Sequence, residues 1–154
     1  MTTPVPASTP RLGVIAVVLR DGQVVMVQRR NPPEAGSWGF PGGKVEWGET
    51  IYSAAARELH EETGIQAAPA RILTSFDVIG KDATGAVAWH YHIAAVLCRY
   101  RSGEPVAADD AMAAEWVAAA DLLEPPHSEC ATQVQARRTS ARVAQVLRLA
   151  LDRL

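Results

Sequence analysis

A mixed β-sheet held between α-helices, an α/β arrangement of the α+β kind, is the fold class that the sequence predicts. Three features predict it. Leu12 to Leu19 (LGVIAVVL) is an unbroken apolar run rich in β-branched residues, the pattern of a strand covered on both faces. Thr50 to Thr63 contains neither Gly nor Pro and reads as a long helix. The remaining runs follow in the order strands, helix, strands, helix, with strands adjacent in sequence and free to pair antiparallel. That order favours a mixed sheet over a doubly wound parallel one.

Each element has its own local reason. Asp21-Gly22 separates Leu12–Leu19 from Gln23–Gln28 (QVVMVQ), and Asp-Gly between two strand-like runs predicts a hairpin. Two prolines and a glycine between Asn31 and Gly36 break the chain before Trp38-Gly39-Phe40-Pro41-Gly42-Gly43. The helix that follows carries an apolar stripe of Ile51, Ala55 and Leu59 and stops at Gly64. Its Glu58, Glu61 and Glu62 are expected together on another face.

Arg71 to Val78 and Val87 to Cys98 read as two more strands joined through Gly80–Gly85. A short strand is predicted at Glu115–Val117, a helical turn at Ala120–Leu123 and a break at Pro125-Pro126. A second long helix is predicted from Ser128 to the C-terminus, with Val134, Val143, Val146, Leu147, Ala150, Leu151 and Leu154 spaced to pack on a core.

At 154 residues the chain suits one domain, placed at 11–154 behind a flexible N-terminal tail at 1–10. Apolar residues at 48% and charged residues at 21% are the balance of a chain that folds on its own. A formal charge of −2 argues against nucleic acid and anionic membrane as partners, because their binders usually present a basic face. No apolar run approaches the roughly 20 residues that cross a bilayer, and the first ten residues lack the pattern of a secretory signal. Cys98 and Cys130 are distant and outside any C-x-x-C spacing, so two reduced thiols are expected. The localisation that follows is cytoplasmic.

The chemistry concentrates after Gly43. Five residues separate Gly43 from Glu49, seven more lead to Arg57-Glu58-Leu59, and Glu61-Glu62, Gly64 and Ile65 follow. On a helix Glu58 lies one turn from both Glu61 and Glu62, so three carboxylates are expected in one small area. A hard divalent cation would relieve their repulsion and keep waters for exchange with phosphate oxygens. An isolated glutamate-rich helix is more often a solvated face, but here Pro41-Gly42-Gly43 lets backbone approach closely, which shifts the balance toward a site.

The full pattern, GX5EX7REUXEEXGU with U aliphatic, resembles the Nudix box without a departure. A chance match is on the order of one in ten million for a chain of this length. The resemblance is firmest over Trp38–Ile65 and looser from Leu12 to about Leu123. It implies the Nudix fold and a pyrophosphohydrolase dependent on Mg²⁺, with Mn²⁺ as the alternative ion. Glu58 and Glu62 are implied as ligands, Glu61 as a shared ligand or helper in activating water, and the Gly42 carbonyl as a further ligand. Glu49 is implied in an outer-shell or second-metal role, and Arg57 as the group that pairs with Glu49 or Glu61 and orients the carboxylates. Asp109, Asp110 and Glu115 are candidates for an auxiliary acid or base. Many small members form homodimers, and the resemblance extends that expectation to this chain.

Substrate recognition is read from aromatic and polar residues around the box. Trp38, Phe40, Trp47, Phe76, His90 and His92 are the candidates for a nucleotide pocket, and for any one aromatic core packing is the competing role. His90 and His92 share one face of a strand and could make a metal pair, but the box already offers oxygen ligands and no third soft ligand is evident, so substrate contact or sheet hydrogen bonding is preferred. Ser37, Lys44, Arg29 and Arg30 could meet phosphate. GSWGFPGGKVEWGE, WHYH and EWV resemble the MutT-type triphosphate pyrophosphatases and related ADP-ribose pyrophosphatases. ADP-ribose enzymes often carry a proline about sixteen residues beyond the box, where this chain has Lys81 or its neighbours. The preferred reading is cleavage of a (d)NTP to a (d)NMP and pyrophosphate, ahead of an ADP-ribose or nucleotide-sugar pyrophosphatase. A binding module without activity is third, since such modules usually lose box glutamates.

Overall fold

The computed structural model describes residues 9–31, 35–123, 139–140 and 142–153. Seven strands form one sheet: β1 (Arg11–Arg20), β2 (Gln23–Arg29), β3 (Trp38–Gly39), β4 (Gly42–Lys44), β5 (Gln66–Lys81), β6 (Val87–Ser102) and β7 (Ala111–Ala118). The helices are α1 (Ile51–Thr63), α2 (Ala119–Leu123) and α3 (Val143–Leu151). β1 runs parallel to β6 and the other strand pairs are antiparallel, so the sheet is mixed as the sequence predicts.

Asp21 and Gly22 take φ values of 50° and 75°, the left-handed pair that a two-residue hairpin of this twist requires. β1 and β2 pair only at Leu19↔Val24 and Arg20↔Gln23 and then separate. β3 fills the gap beside β2 and β4 fills it beside β1, while Pro41 O accepts from Ala16 N at 2.8 Å between them. This splaying sets Gly42 and Gly43 inside the sheet.

The sheet has two apolar faces. One face buries Val14, Ala16, Val18 and Val96 against Ala54, Ala55 and Leu59 of α1. The other buries Val17, Met26, Trp38, Phe40 and Leu97 with Val143, Val146, Leu147 and Ala150 of α3. Alternation along β1 sends even residues to α1 and odd residues to α3, which is why its run is apolar throughout.

α1 begins at Thr50, whose Oγ1 accepts from Ser53 N at 3.1 Å, a cap worth about 1 kcal/mol. It ends at Gly64 in the left-handed conformation, φ 75°, with Gly64 N donating to His60 O. Thr63 Oγ1 donates to Leu59 O and accepts from Ile65 N, closing the buried end of the helix.

Three expectations change. The last helix does not run unbroken from Ser128: Thr139 forms a parallel bridge with Trp38, Arg142 takes φ 69°, and α3 starts at Val143. Pairing of this strap with β3 competes with helix there, since Ser140 N donates to Trp38 O at 2.8 Å. Val134, Leu154, Pro125-Pro126 and Cys130 lie outside the described residues. β5 and β6 are longer than predicted, because register shifts at Gln66/Ala67 and Pro69/Arg71 carry the ladder past Pro69. β7 spans Ala111–Ala118 and not only Glu115–Val117, since it pairs along the whole of β2.

Candidate active site

The helix glutamates are neighbours one turn apart, but their burial differs. Ala55, Leu59 and Glu62 lie at i, i+4 and i+7, so Glu62 turns toward the sheet and is 8% exposed, whereas Glu61 is exposed. Glu58 lies between these extremes. Among the described residues no three acidic, histidine or cysteine side chains already close into a metal cage.

Two glycines determine what Glu58 and Glu62 face. Gly42 N donates to Glu62 Oε2 at 3.2 Å. A Cβ on Gly43 would stand 2.5 Å from Glu58 Oε1, so the Glu58 carboxylate would have to move. Glycine at this position leaves the Glu58 carboxylate its place against β4, which a larger residue would take by turning that carboxylate away.

Arg57 ties this contact to the loop. Its Nε and Nη2 donate to the two oxygens of Glu49 at 2.7 and 2.8 Å. Nη1 donates to Glu58 Oε1 at 2.9 Å and Glu61 Oε2 at 3.2 Å, and Nη2 also donates to Lys44 O at 2.9 Å. One guanidinium therefore joins β4, the following turn and two helix positions. Arg57 engages Glu49 and Glu61 together, where the sequence left them as alternatives.

Burial and charge divide the carboxylates. Hydrogen bonding to Arg57 lowers Glu49 to about 2. Burial pushes Glu62 up to about 8; the Gly42 N–H opposes the rise, Glu58 and Asp110 add to it, and Arg29 opposes it. Glu58 is also raised, with burial outweighing Arg57 and with Glu61 and Asp109 adding to the rise. Two carboxylates crowded by acids, with less cationic support than their burial demands, are a setting that a divalent cation would complete.

Asp109 and Asp110 thus come to the box from outside it. Val106 N donates to Thr63 O at 2.9 Å and Ala108 N to Glu62 O at 3.1 Å, laying the loop before β7 along the end of α1. Asp109 takes φ 56°, and Asp110 Oδ1 accepts from Asn31 Nδ2 at 3.3 Å. Glu115 is elsewhere, in mid-strand opposite Met26.

The substrate candidates scatter. Trp38 and Phe40, at 8% and 7% exposure, are core residues of the α3 face and offer no free ring for stacking, which corrects the expectation for both. Both belong to the apolar cluster that holds Met26 and the buried side of α3. Trp47 is fully exposed in the turn closed by Glu49 N donating to Glu46 O. Phe76 is half-buried on the α3 face, with the Arg142 guanidinium 4.8 Å from its ring centroid. His90 Nε2 and His92 Nδ1 both meet Asp77 Oδ1, at 3.2 and 2.9 Å. Sequence reading missed Asp77, although cross-strand pairing of Asp77 with His92 would have exposed it had the register been known. It also missed Arg142, which the predicted continuous helix concealed. The electrostatic action of Arg29 on Glu62 was not legible either, since Arg29 reads from sequence as a phosphate contact or a surface residue ending its strand.

The NUDIX domain family model matches residues 9–137. The chain is 34% identical to an ADP-ribose pyrophosphatase of Methanocaldococcus jannaschii, over 70% of this chain and 61% of that protein. It is 40% identical to a Mycobacterium tuberculosis protein provisionally named 8-oxo-dGTP diphosphatase 2, over 71% of this chain and 74% of that one. A CTP pyrophosphohydrolase of Escherichia coli is 38% identical over 50% of this chain and 58% of its own length. The chain thus spans less than two thirds of two of these three relatives. The crystal structure of a MutT NUDIX hydrolase from Burkholderia pseudomallei superposes with a TM-score of 0.72 at 33% identity, covering 92% of this chain and 98% of that one. With a family match over most of its length and an unbroken box on the sheet and helix where that box must act, this chain belongs to the NUDIX family.

Proposed function

We propose that the protein is a Mg²⁺-dependent pyrophosphohydrolase that cleaves a nucleoside triphosphate, ribo or deoxy, to the monophosphate and pyrophosphate. One observation carries the reading: Glu58 and Glu62, both held above their ordinary pKa by burial, converge on the backbone of Gly42 and Gly43. This oxygen-only set fits a hard divalent cation, and Nudix hydrolases generally use one. Glu58 and Glu62 would hold it, with Glu61 sharing and the Gly42 carbonyl adding an oxygen; Mn²⁺ would serve in the same place. When bound, such an ion neutralises phosphate charge and lowers the pKa of attached water.

The chain's own groups supply the rest. Arg57 and Glu49 fix the loop against α1, so the carboxylates meet the diphosphate without rearranging. Asp109 and Asp110 are placed to take a proton from attacking water or to add an acidic oxygen. Trp47 and Phe76 remain the aromatic groups for a base, and His90 and His92 the polar ones. The Mycobacterium tuberculosis relative, with the larger matched share, supports a triphosphate. The Methanocaldococcus jannaschii relative favours a second reading, ADP-ribose.

Product identification separates the two. Turnover of nucleoside triphosphates and ADP-ribose with Mg²⁺, resolved by ion-exchange chromatography, should give a nucleoside monophosphate and pyrophosphate. AMP and ribose 5-phosphate from ADP-ribose as the best substrate would establish the second reading. Inactivity on both and on other nucleotide anhydrides, with Mg²⁺ or Mn²⁺, would leave a binding module.

A further inference from the structure

A cavity of about 420 Å³ opens at the end of β1 and β6 away from the box, with Leu19, Leu97 and Tyr100 in its lining. Leu19 and Leu97 pack with the α3 face of the sheet, whereas the box glutamates are on α1. Leu19 is four residues along β1 from Ile15, the partner of Gly42, or about 13 Å at the rise of a strand. This is not the catalytic cleft.

Three arginines line it: Arg71 of β5, Arg99 of β6 and Arg153 just beyond α3. Among the described residues none of the three has a carboxylate within ion-pair distance, in contrast to Arg20 on Glu104 and Arg57 on Glu49. The backbone brings them together. Arg99 pairs with Leu19 on one side and Ala68 on the other, and the register shift between Pro69 and Arg71 sets Arg71 opposite Leu97.

Solvated surface arginines usually diverge, and a helix C-terminus by itself favours a residue such as Arg153. Here three exposed arginines from β5, β6 and the end of α3 line one concavity that also has an apolar wall, in a chain whose net charge is −2. Like charges gathered around low-dielectric walls raise the local positive potential, and guanidinium forks match phosphate oxygens in pairs. The volume lies in the range of small-molecule sites and exceeds what a single carboxylate would fill. We propose that this cavity is a second anion site, which takes the phosphate chain of a small phosphorylated molecule.

The test is calorimetric titration of the full chain with inorganic pyrophosphate in EDTA, so that no divalent cation can hold the anion at the glutamates. Saturable binding with a Kd of about 1 mM or tighter is expected, weakening as salt rises. Arg71→Gln with Arg99→Gln, and separately Arg153→Gln, should each weaken it about tenfold or more, whereas Arg11→Gln, at the other end of β1, leaves it intact. Thermal melts confirm that each variant folds. Hydrolysis at saturating substrate should stay within about twofold of the parent, since these arginines lie off the box. AMP and a nucleoside diphosphate in the same titration show whether a free phosphate chain or a whole nucleotide is preferred. Absence of saturation, or unchanged binding in both arginine variants, would overturn the site. Parallel loss of binding and turnover would also overturn it, by placing the arginines in the catalytic path. Tighter, arginine-dependent binding of a single-stranded oligonucleotide would replace the small molecule with a nucleic acid. Because the titration needs no turnover, its failure is distinct from failure of the hydrolase reading.

Discussion

Arg57 grips both oxygens of Glu49, Nε to Oε2 at 2.7 Å and Nη2 to Oε1 at 2.8 Å. A lysine can offer one point charge there but not two parallel donors. Arg57→Lys should therefore lower kcat by about 10–100-fold, with a smaller change in KM, because it loosens the carboxylates without removing one. Steady-state kinetics beside a thermal melt checks this. Equal kcat in the lysine variant would show that charge alone suffices.

Gly43→Ala tests the approach of β4 to α1. The added methyl would stand 2.5 Å from Glu58 Oε1 and must displace that side chain. A shift of about 1 Å at reacting groups can cost 10²-fold, so kcat should fall by about that factor while circular dichroism stays that of the parent. Unaltered kcat would place Glu58 outside the chemistry.

The tryptophans separate by burial. Trp38→Ala removes a core side chain and should cost about 3–5 kcal/mol in denaturant unfolding. Trp47→Ala, at a fully exposed turn, should move stability by no more than about 0.5 kcal/mol. As a substrate contact, Trp47→Ala should raise KM several-fold with kcat little changed. An unchanged KM removes Trp47 from recognition.

Cys98 gives the pH prediction. Burial pushes its thiol up from 9.0 to about 12. Between these values the folded chain keeps a proton that the unfolded chain releases, so this group makes stability fall as pH rises above 9. In a Cys130→Ser background, the folded protein should resist a thiol reagent at pH 8 and react once urea unfolds it. Rapid labelling of the folded protein would contradict the burial of Cys98.

Much of the site was legible because its information is local. Thr50, Ala55, Leu59 and Gly64 dictate where α1 starts, which side it buries and where it stops. The spacing from Gly43 to Ile65 names the chemistry. Glu62 shows the limit: its spacing placed it with Glu58, but only the packing of α1 on the sheet shows that it is buried. Asp109 and Asp110 reach the box through a loop whose course depends on Val106 and Ala108 bonding to α1, a contact far from the box in sequence. Trp38 and Phe40 suited a nucleotide pocket as residue types, but both pack in the core cluster on the α3 side of the sheet. The bridge at Thr139 and Ser140 was hidden because the helical reading ran across it, and pairing with Trp38 overrides that local preference.

Glu62→Gln tests the central claim most directly. Glutamine retains an oxygen to accept from Gly42 N but removes the carboxylate charge that would hold a cation. Mg²⁺-dependent turnover of the best substrate should fall by about a hundredfold or more, with a melting temperature no lower than that of the parent. Turnover near the parent rate in a folded Glu62→Gln variant would contradict the assignment of Glu62 and, with it, the account of this site.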